Sequence, residues 1–179
     1  MKNILKFIIS IIVCQATGLV GAIFTTPAIG SWYATLNKPS FTPSGSFIGA
    51  VWTILFFLIG ISLYLVWSKN WQISVPADSQ AQKVWNRFSE KLWFGTWREE
   101  NAVLIFILQL VLNILWSVIF FGLKLPGLAF FELLMLWFAI LYTIINFFRI
   151  SKSASYLLLP YIAWVSFAGF LNFILWKMN

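Results

Sequence analysis

Histidine is missing from this 179-residue chain, cysteine occurs once, at Cys14, and only five residues are acidic. Without histidine there is no imidazole for a hydrolytic triad or proton relay, and the commonest ligand of haem and zinc is absent. A single thiol closes no intrachain disulfide, so cysteine usage does not report the redox compartment. Cys14 lies in an apolar stretch with no basic neighbour to favour a thiolate. It reads as a small packing residue, with thiolate ligation of haem iron as the alternative. No metal-ligand cluster, close carboxylate pair within a span, or Gly-rich phosphate loop is visible, so neither a metal nor a cofactor is expected, and conventional acid–base catalysis is not either. Charge is scarce as well, at 9% of residues against about 25% in a typical globular domain.

What the chain has instead is apolar side chains, 61% of all residues, with aromatics alone at 20%. Crossing the hydrocarbon takes about 20 mainly apolar residues in a helix, since about 30 Å is covered at about 1.5 Å per residue. Five stretches qualify: residues 4–26, 47–67, 102–123, 127–148 and 154–176. None alternates apolar with polar residues as a membrane β-barrel strand does, so helices must satisfy their backbone amides in lipid. The fold expected is an all-α membrane protein, a five-transmembrane-helix bundle forming one domain over residues 1–179. A positive start at Lys2 and Lys6 also fits a secretory signal peptide, but the apolar run continues to Phe24, longer than the usual core of about 7–15 residues.

The net charge of +7 does not point to nucleic acid, because the basic residues are spread over loops and chain ends. With five spans, one side holds Lys2, Lys6, Lys69, Lys83, Arg87, Lys91, Arg98, Arg149 and Lys152, and the other holds Lys38, Lys124 and Lys177. That bias places the amino terminus in the cytoplasm.

Between the first two spans, residues 27–46 include Pro27, Pro39, Pro43, Gly30 and Gly45, which forbid a continuous helix and require a shaped loop. Trp32 and Tyr33 there are either interfacial anchors or a lid over the mouth of the bundle. The second loop, 68–100, mixes charges with Trp71, Trp85, Trp93 and Trp97 and reads either as an amphipathic stretch on the headgroups or as a solvated linker.

Polar residues within spans carry the most information, because each is costly in lipid unless paired. Glu132, the one acid in a span, is either glue between helices or a ligand-contacting group; Ala139, Tyr142 and Asn146 follow it on one broad face. Gln109, Asn113, Trp116 and Phe120 share a face of the third span, Trp52 and Phe56 one of the second, and Trp164, Ala168 and Leu171 one of the fifth. Such aromatic stripes either pack helices or, beside small residues such as Ala168 and Gly169, leave room for a planar guest. Gly18 and Ala22 make a small-xxx-small step that serves internal packing or a homodimer.

The loop segment from Trp32 to Pro43, the second-span start Val51-Trp52-Thr-Ile-Leu, the third-span run from Leu112 to Gly122 and the fifth-span run from Leu159 to Asn172 together resemble the tryptophan-rich sensory protein and translocator protein family, formerly called peripheral benzodiazepine receptors. The match spans nearly the whole chain. The resemblance implies a five-helix bundle in a bacterial cytoplasmic membrane, often a homodimer, that binds porphyrins and in some members sterols or benzodiazepine-type ligands. By motif position, Ala22 and Tyr33 would line or close the pocket, Trp52 and Trp164 would form its aromatic walls, and Asn113, Trp116 and Ala168 would complete it. The resemblance also implies roles for such a protein in sensing, trafficking or photo-oxidative degradation of porphyrins, the last using Trp52 and Trp164 as photochemical residues. A transporter and a purely structural membrane protein are the alternatives. Against transport, there are no paired broken helices or inverted repeat. The chain departs from the family at Phe41 and Ser44, where a Trp and a second Pro are usual and a looser loop is expected. It departs again at Leu128, where animal members carry a pocket tryptophan, and at Phe173, where a sterol motif calls for tyrosine.

Overall fold

Each apolar stretch folds as a helix in the computed structural model, which describes residues 2–69 and 100–179. The helices are α1 (Lys2–Ile29), a short α2 (Trp32–Thr35), α3 (Gly45–Ser68), α4 (Glu100–Ser117), α5 (Pro126–Ile150), a short α6 (Lys152–Tyr156) and α7 (Leu159–Met178). A π-helical turn, Val118–Gly122, extends α4. Five stretches, Asn3–Ile29, Gly45–Ser68, Ala102–Gly122, Pro126–Ile150 and Lys152–Met178, are long and apolar enough to cross a bilayer. The described residues contain no strand. The expected interfacial stretch 68–100 lies, apart from its ends, outside the described residues.

The helices run a little beyond the spans expected from hydropathy. Helix α1 continues through Pro27 to Ile29; the proline keeps a helical φ and removes one backbone bond, that to the Ile23 carbonyl. Ser31 then closes it, its Oγ donating to the Pro27 carbonyl at 2.8 Å. The first loop is correspondingly shorter than 27–46 and contains a helical turn of its own, α2. Ser44 caps α3, its Oγ accepting from the Phe47 N–H at 3.3 Å. The last span is interrupted between α6 and α7, and Pro160 falls in the first turn of α7, where its missing N–H costs nothing.

Helix α1 packs chiefly on α3 and then on α4; α5 packs on α4 and α7, with α7 meeting α3 more lightly to complete the ring. The tightest approach is between α1 and α3. A Cβ on Gly60 would lie 2.8 Å from Ile11 Cδ1, 3.0 Å from Ile11 Cα and 3.2 Å from the Ser10 carbonyl. Gly18 meets the Phe56 ring in the same way, at 2.8 Å. The small-xxx-small step of α1 therefore serves contacts within the chain at Gly18. Polar side chains tie the helices at the end away from the first loop. Ser62 Oγ donates to the Ala154 carbonyl at 2.7 Å, Ser155 Oγ to Ile144 at 3.0 Å and Lys69 Nζ to Ile150 at 2.7 Å. Cys14 is buried in the core cluster around Leu55, Ile59 and Tyr161.

Candidate functional site

Toward the first loop the bundle encloses a cavity of about 410 Å³ between α1, α3, α4 and α7. Behind its lining Tyr161 is fully buried, and its hydroxyl accepts a hydrogen bond from Asn113 Nδ2, a lining residue, at 3.1 Å. Trp52 meets Tyr161 edge-on at 6.2 Å and stacks on Phe56 at 5.5 Å, so α3 contributes one aromatic wall. Helix α7 contributes a second wall through Trp164, Phe167, Ala168 and Leu171, one stripe at helical spacing. The Trp164 ring lies 5.4 Å from Phe167, and its buried indole N–H has no hydrogen-bond partner among the described residues.

Helix α4 supplies Asn113, Trp116 and Ser117, and the π-helical turn adds Phe120 and Phe121. One extra residue in this turn lets two consecutive phenyl rings face inward, a widening that π turns characteristically bring to helices at functional sites. Trp116 stacks on Phe120 at 5.2 Å and is fixed by its indole N–H, which donates to Asn172 Oδ1 at 3.1 Å. Asn172 in turn donates from Nδ2 to the Pro126 carbonyl at 2.7 Å, tying α7 to the start of α5. Asn172 itself borders the cavity and orients Trp116 there. It was legible only as one more polar residue in an apolar span.

The first loop turns inward over this end. Trp32 contacts Phe120 at 5.6 Å and Tyr33 contacts Phe121 at 5.7 Å, and Tyr33 lines the cavity. Burial raises the Tyr33 phenol above its ordinary pKa, so it stays neutral at physiological pH. Lys38 Nζ donates to the carbonyls of Tyr33 at 2.6 Å, Leu36 at 3.0 Å and Ala34 at 3.3 Å, and sits 4.8 Å over the Tyr33 ring. Asn37 and Asn179 form a reciprocal pair, Asn37 N–H to Asn179 Oδ1 at 2.8 Å and Asn179 Nδ2 to the Asn37 carbonyl at 3.1 Å. Phe41 stacks on Phe170 at 6.0 Å with planes 16° apart. The positions expected to loosen the loop, Phe41 and Ser44, thus hold it, one by stacking and the other by capping α3.

All seven residues singled out by resemblance, Ala22, Tyr33, Trp52, Asn113, Trp116, Trp164 and Ala168, border this one cavity. Of the polar and aromatic stripe on α4, Asn113, Trp116 and Phe120 border it while Gln109 does not. Gln109 is fully buried a turn below, without a hydrogen-bond partner among the described residues. Glu132 is 2% exposed, lies outside the cavity lining, and both its carboxylate oxygens find no partner among the described residues. Leu128 is exposed and does not line the cavity. Beyond the expected residues, Gln15, Gly18, Thr26, Gly45, Gly49 and Thr53 border it along α1 and α3.

Comparison with known proteins agrees with the fold. The model of the TspO/MBR family matches residues 10–177. The chain is 37% identical to the tryptophan-rich protein TspO of Archaeoglobus fulgidus, over 99% of each chain. It is 36% identical to the protein of the same name from Chlorobaculum tepidum, over 99% of this chain and 98% of that one. With the human translocator protein the identity is 34%, over 83% of this chain and 75% of the human one. A bundle of five bilayer-length helices and a family match over nearly its whole length lead to one conclusion: the chain is an integral, multi-pass membrane protein that belongs to the TspO/MBR family.

Proposed function

We propose that the protein binds a flat, largely apolar tetrapyrrole of the porphyrin class in the cavity beneath the first loop, and that it senses, traffics or removes such pigments. The observation carrying this reading is the convergence of three indoles, Trp52, Trp116 and Trp164, from three different helices on one apolar space. Its volume of about 410 Å³ falls within the range of about 300–1,000 Å³ typical of small-molecule sites. Flat aromatic walls favour a planar guest through offset stacking and edge contacts, and the few polar groups, Asn113 above all, orient it.

Light-dependent degradation of the bound pigment is the enzymatic extension of this reading. Trp52 and Trp164 are the residues it would use, as electron-rich rings from two helices that both line the cavity. Titrating the purified protein with protoporphyrin and following tryptophan fluorescence tests binding. Saturable quenching is expected, and it weakens at least about tenfold in Trp52→Phe/Trp164→Phe, as loss of about 1.4 kcal/mol of ring contact would give. An unchanged titration in the double variant removes the site. Pigment loss under illumination that persists in that variant removes the enzymatic extension alone.

A further inference from the structure

The wall of the cavity is uneven. On α4 and α7 it is backed by buried and half-buried side chains, but along α1 and α3 several of its lining residues are exposed. Leu19 is 70% exposed, and Ala22, Thr26, Gly49 and Thr53 are exposed as well. Apart from Leu19 these residues are small, and Gly18, Ala22 and Thr26 on α1 and Gly45, Gly49 and Thr53 on α3 recur at every fourth position, so between its ends the seam carries little side chain. A Cβ built on Gly49 meets no atom within 4 Å. The gap has defined ends: Gly18 against Phe56, with Gln15 Nε2 donating to the Thr53 carbonyl at 3.1 Å, at the foot, and Ile29 against Gly45 at the head. From Gly18 to Ile29 this is roughly 16 Å along the helix axis.

What lies outside the gap is set by its flanks. At the same height the outward side chains are Ile23, 67% exposed, and Ile54, 60% exposed, in spans of bilayer length. The opening therefore faces hydrocarbon. The route past the first loop is fastened by the Asn37–Asn179 pair, the Lys38 brace and the Phe41–Phe170 stack.

We propose that the cavity exchanges its occupant with the hydrocarbon phase of the bilayer, sideways through the gap between α1 and α3, while the first loop stays shut. The occupant is then a molecule that dissolves in the membrane before it meets the protein. The kinetic test below rests on the porphyrin reading; the accessibility test does not.

For accessibility, Gly49→Cys in a Cys14→Ala background is spin-labelled, reconstituted in phosphatidylcholine vesicles, and its collision rates with oxygen and with a polar nickel chelate are compared. A label relaxed by oxygen and not by the chelate is expected. Relaxation mainly by the chelate, or by neither, overturns the proposal, the second result meaning that another protein surface covers the gap. For kinetics, protoporphyrin is delivered from loaded vesicles and its association and dissociation are followed. Gly49→Phe places a ring in the doorway and is expected to slow association about tenfold and to slow dissociation as well. Asn179→Ala releases the loop and is expected to change neither rate. Faster exchange in Asn179→Ala with no effect of Gly49→Phe overturns the sideways route. A wild-type protein that binds no protoporphyrin refutes the ligand assignment, and the spin label still decides the gap.

Discussion

At the end away from the first loop, α1 and α3 approach until the Gly60 backbone touches Ile11, and Phe106 and Phe147 stack 5.6 Å apart with planes 10° from parallel. At the loop end the same helices part around a cavity, and the aromatic rings line space instead of filling it. Composition does not separate these regions, since both are apolar and ring-rich. The difference lies in what stands opposite the small residues. Gly60 and Gly18 face side chains that fill the space a Cβ would take, whereas Gly49 faces none. Close packing between α1 and α3 is thus concentrated in one half, where hydrogen bonds from Ser62, Ser155 and Lys69 also cross between helices. The other half trades packing for room.

The sharpest way to break this comparison is to enlarge one glycine in each half. Gly60→Leu forces a side chain against backbone atoms and is expected to destabilise by on the order of 3 kcal/mol. Gly49→Leu is expected to stay within about 0.5 kcal/mol. Thermal unfolding in detergent reads both, and equal losses would erase the distinction between the halves. Next in size is Asn172→Leu, which strands the Trp116 N–H and the Pro126 carbonyl and should cost about 2 kcal/mol in the same assay. It should also weaken protoporphyrin binding, because Trp116 loses the bond that orients it.

Lys124 adopts a left-handed conformation, φ 59°, in the link from the π turn to α5. Lys124→Gly is expected to gain about 1 kcal/mol, and no gain would mean that the link carries no backbone strain. The smallest effect belongs to Asn179→Ala, about 0.5 kcal/mol, confined to the first loop. Hydrogen exchange at Asn37 should quicken while the amides around Ile59 keep their protection.

Much of the bundle was legible in the sequence because each span is apolar around its whole circumference, a signal that needs no knowledge of packing. Helical spacing likewise grouped Trp52 with Phe56 and Trp164 with Ala168 and Leu171, and these groups border the cavity together. Spacing could not say which stripes meet, so the convergence of α1, α3, α4 and α7 on one space rested on resemblance to a family. Pro27 misled the first boundary, because it removes a single backbone bond and the helix runs on through it for two residues. Gln109 shows the limit of a shared face: one turn along the stripe from Asn113, it is fully buried and does not reach the cavity. The fastening of the loop was hidden because Asn37 and Asn179 are far apart in the chain and each is an ordinary surface residue in sequence.

The π turn at Val118–Gly122 makes chain length, and not only side-chain identity, a determinant of the ceiling over the cavity. Such a turn is one surplus residue absorbed without redirecting the helix. Excising Ile119 would restore ordinary helical periodicity and leave a single phenyl ring where Trp32 and Tyr33 now rest on two. A one-residue deletion could therefore unseat the loop while every contacting side chain keeps its chemistry.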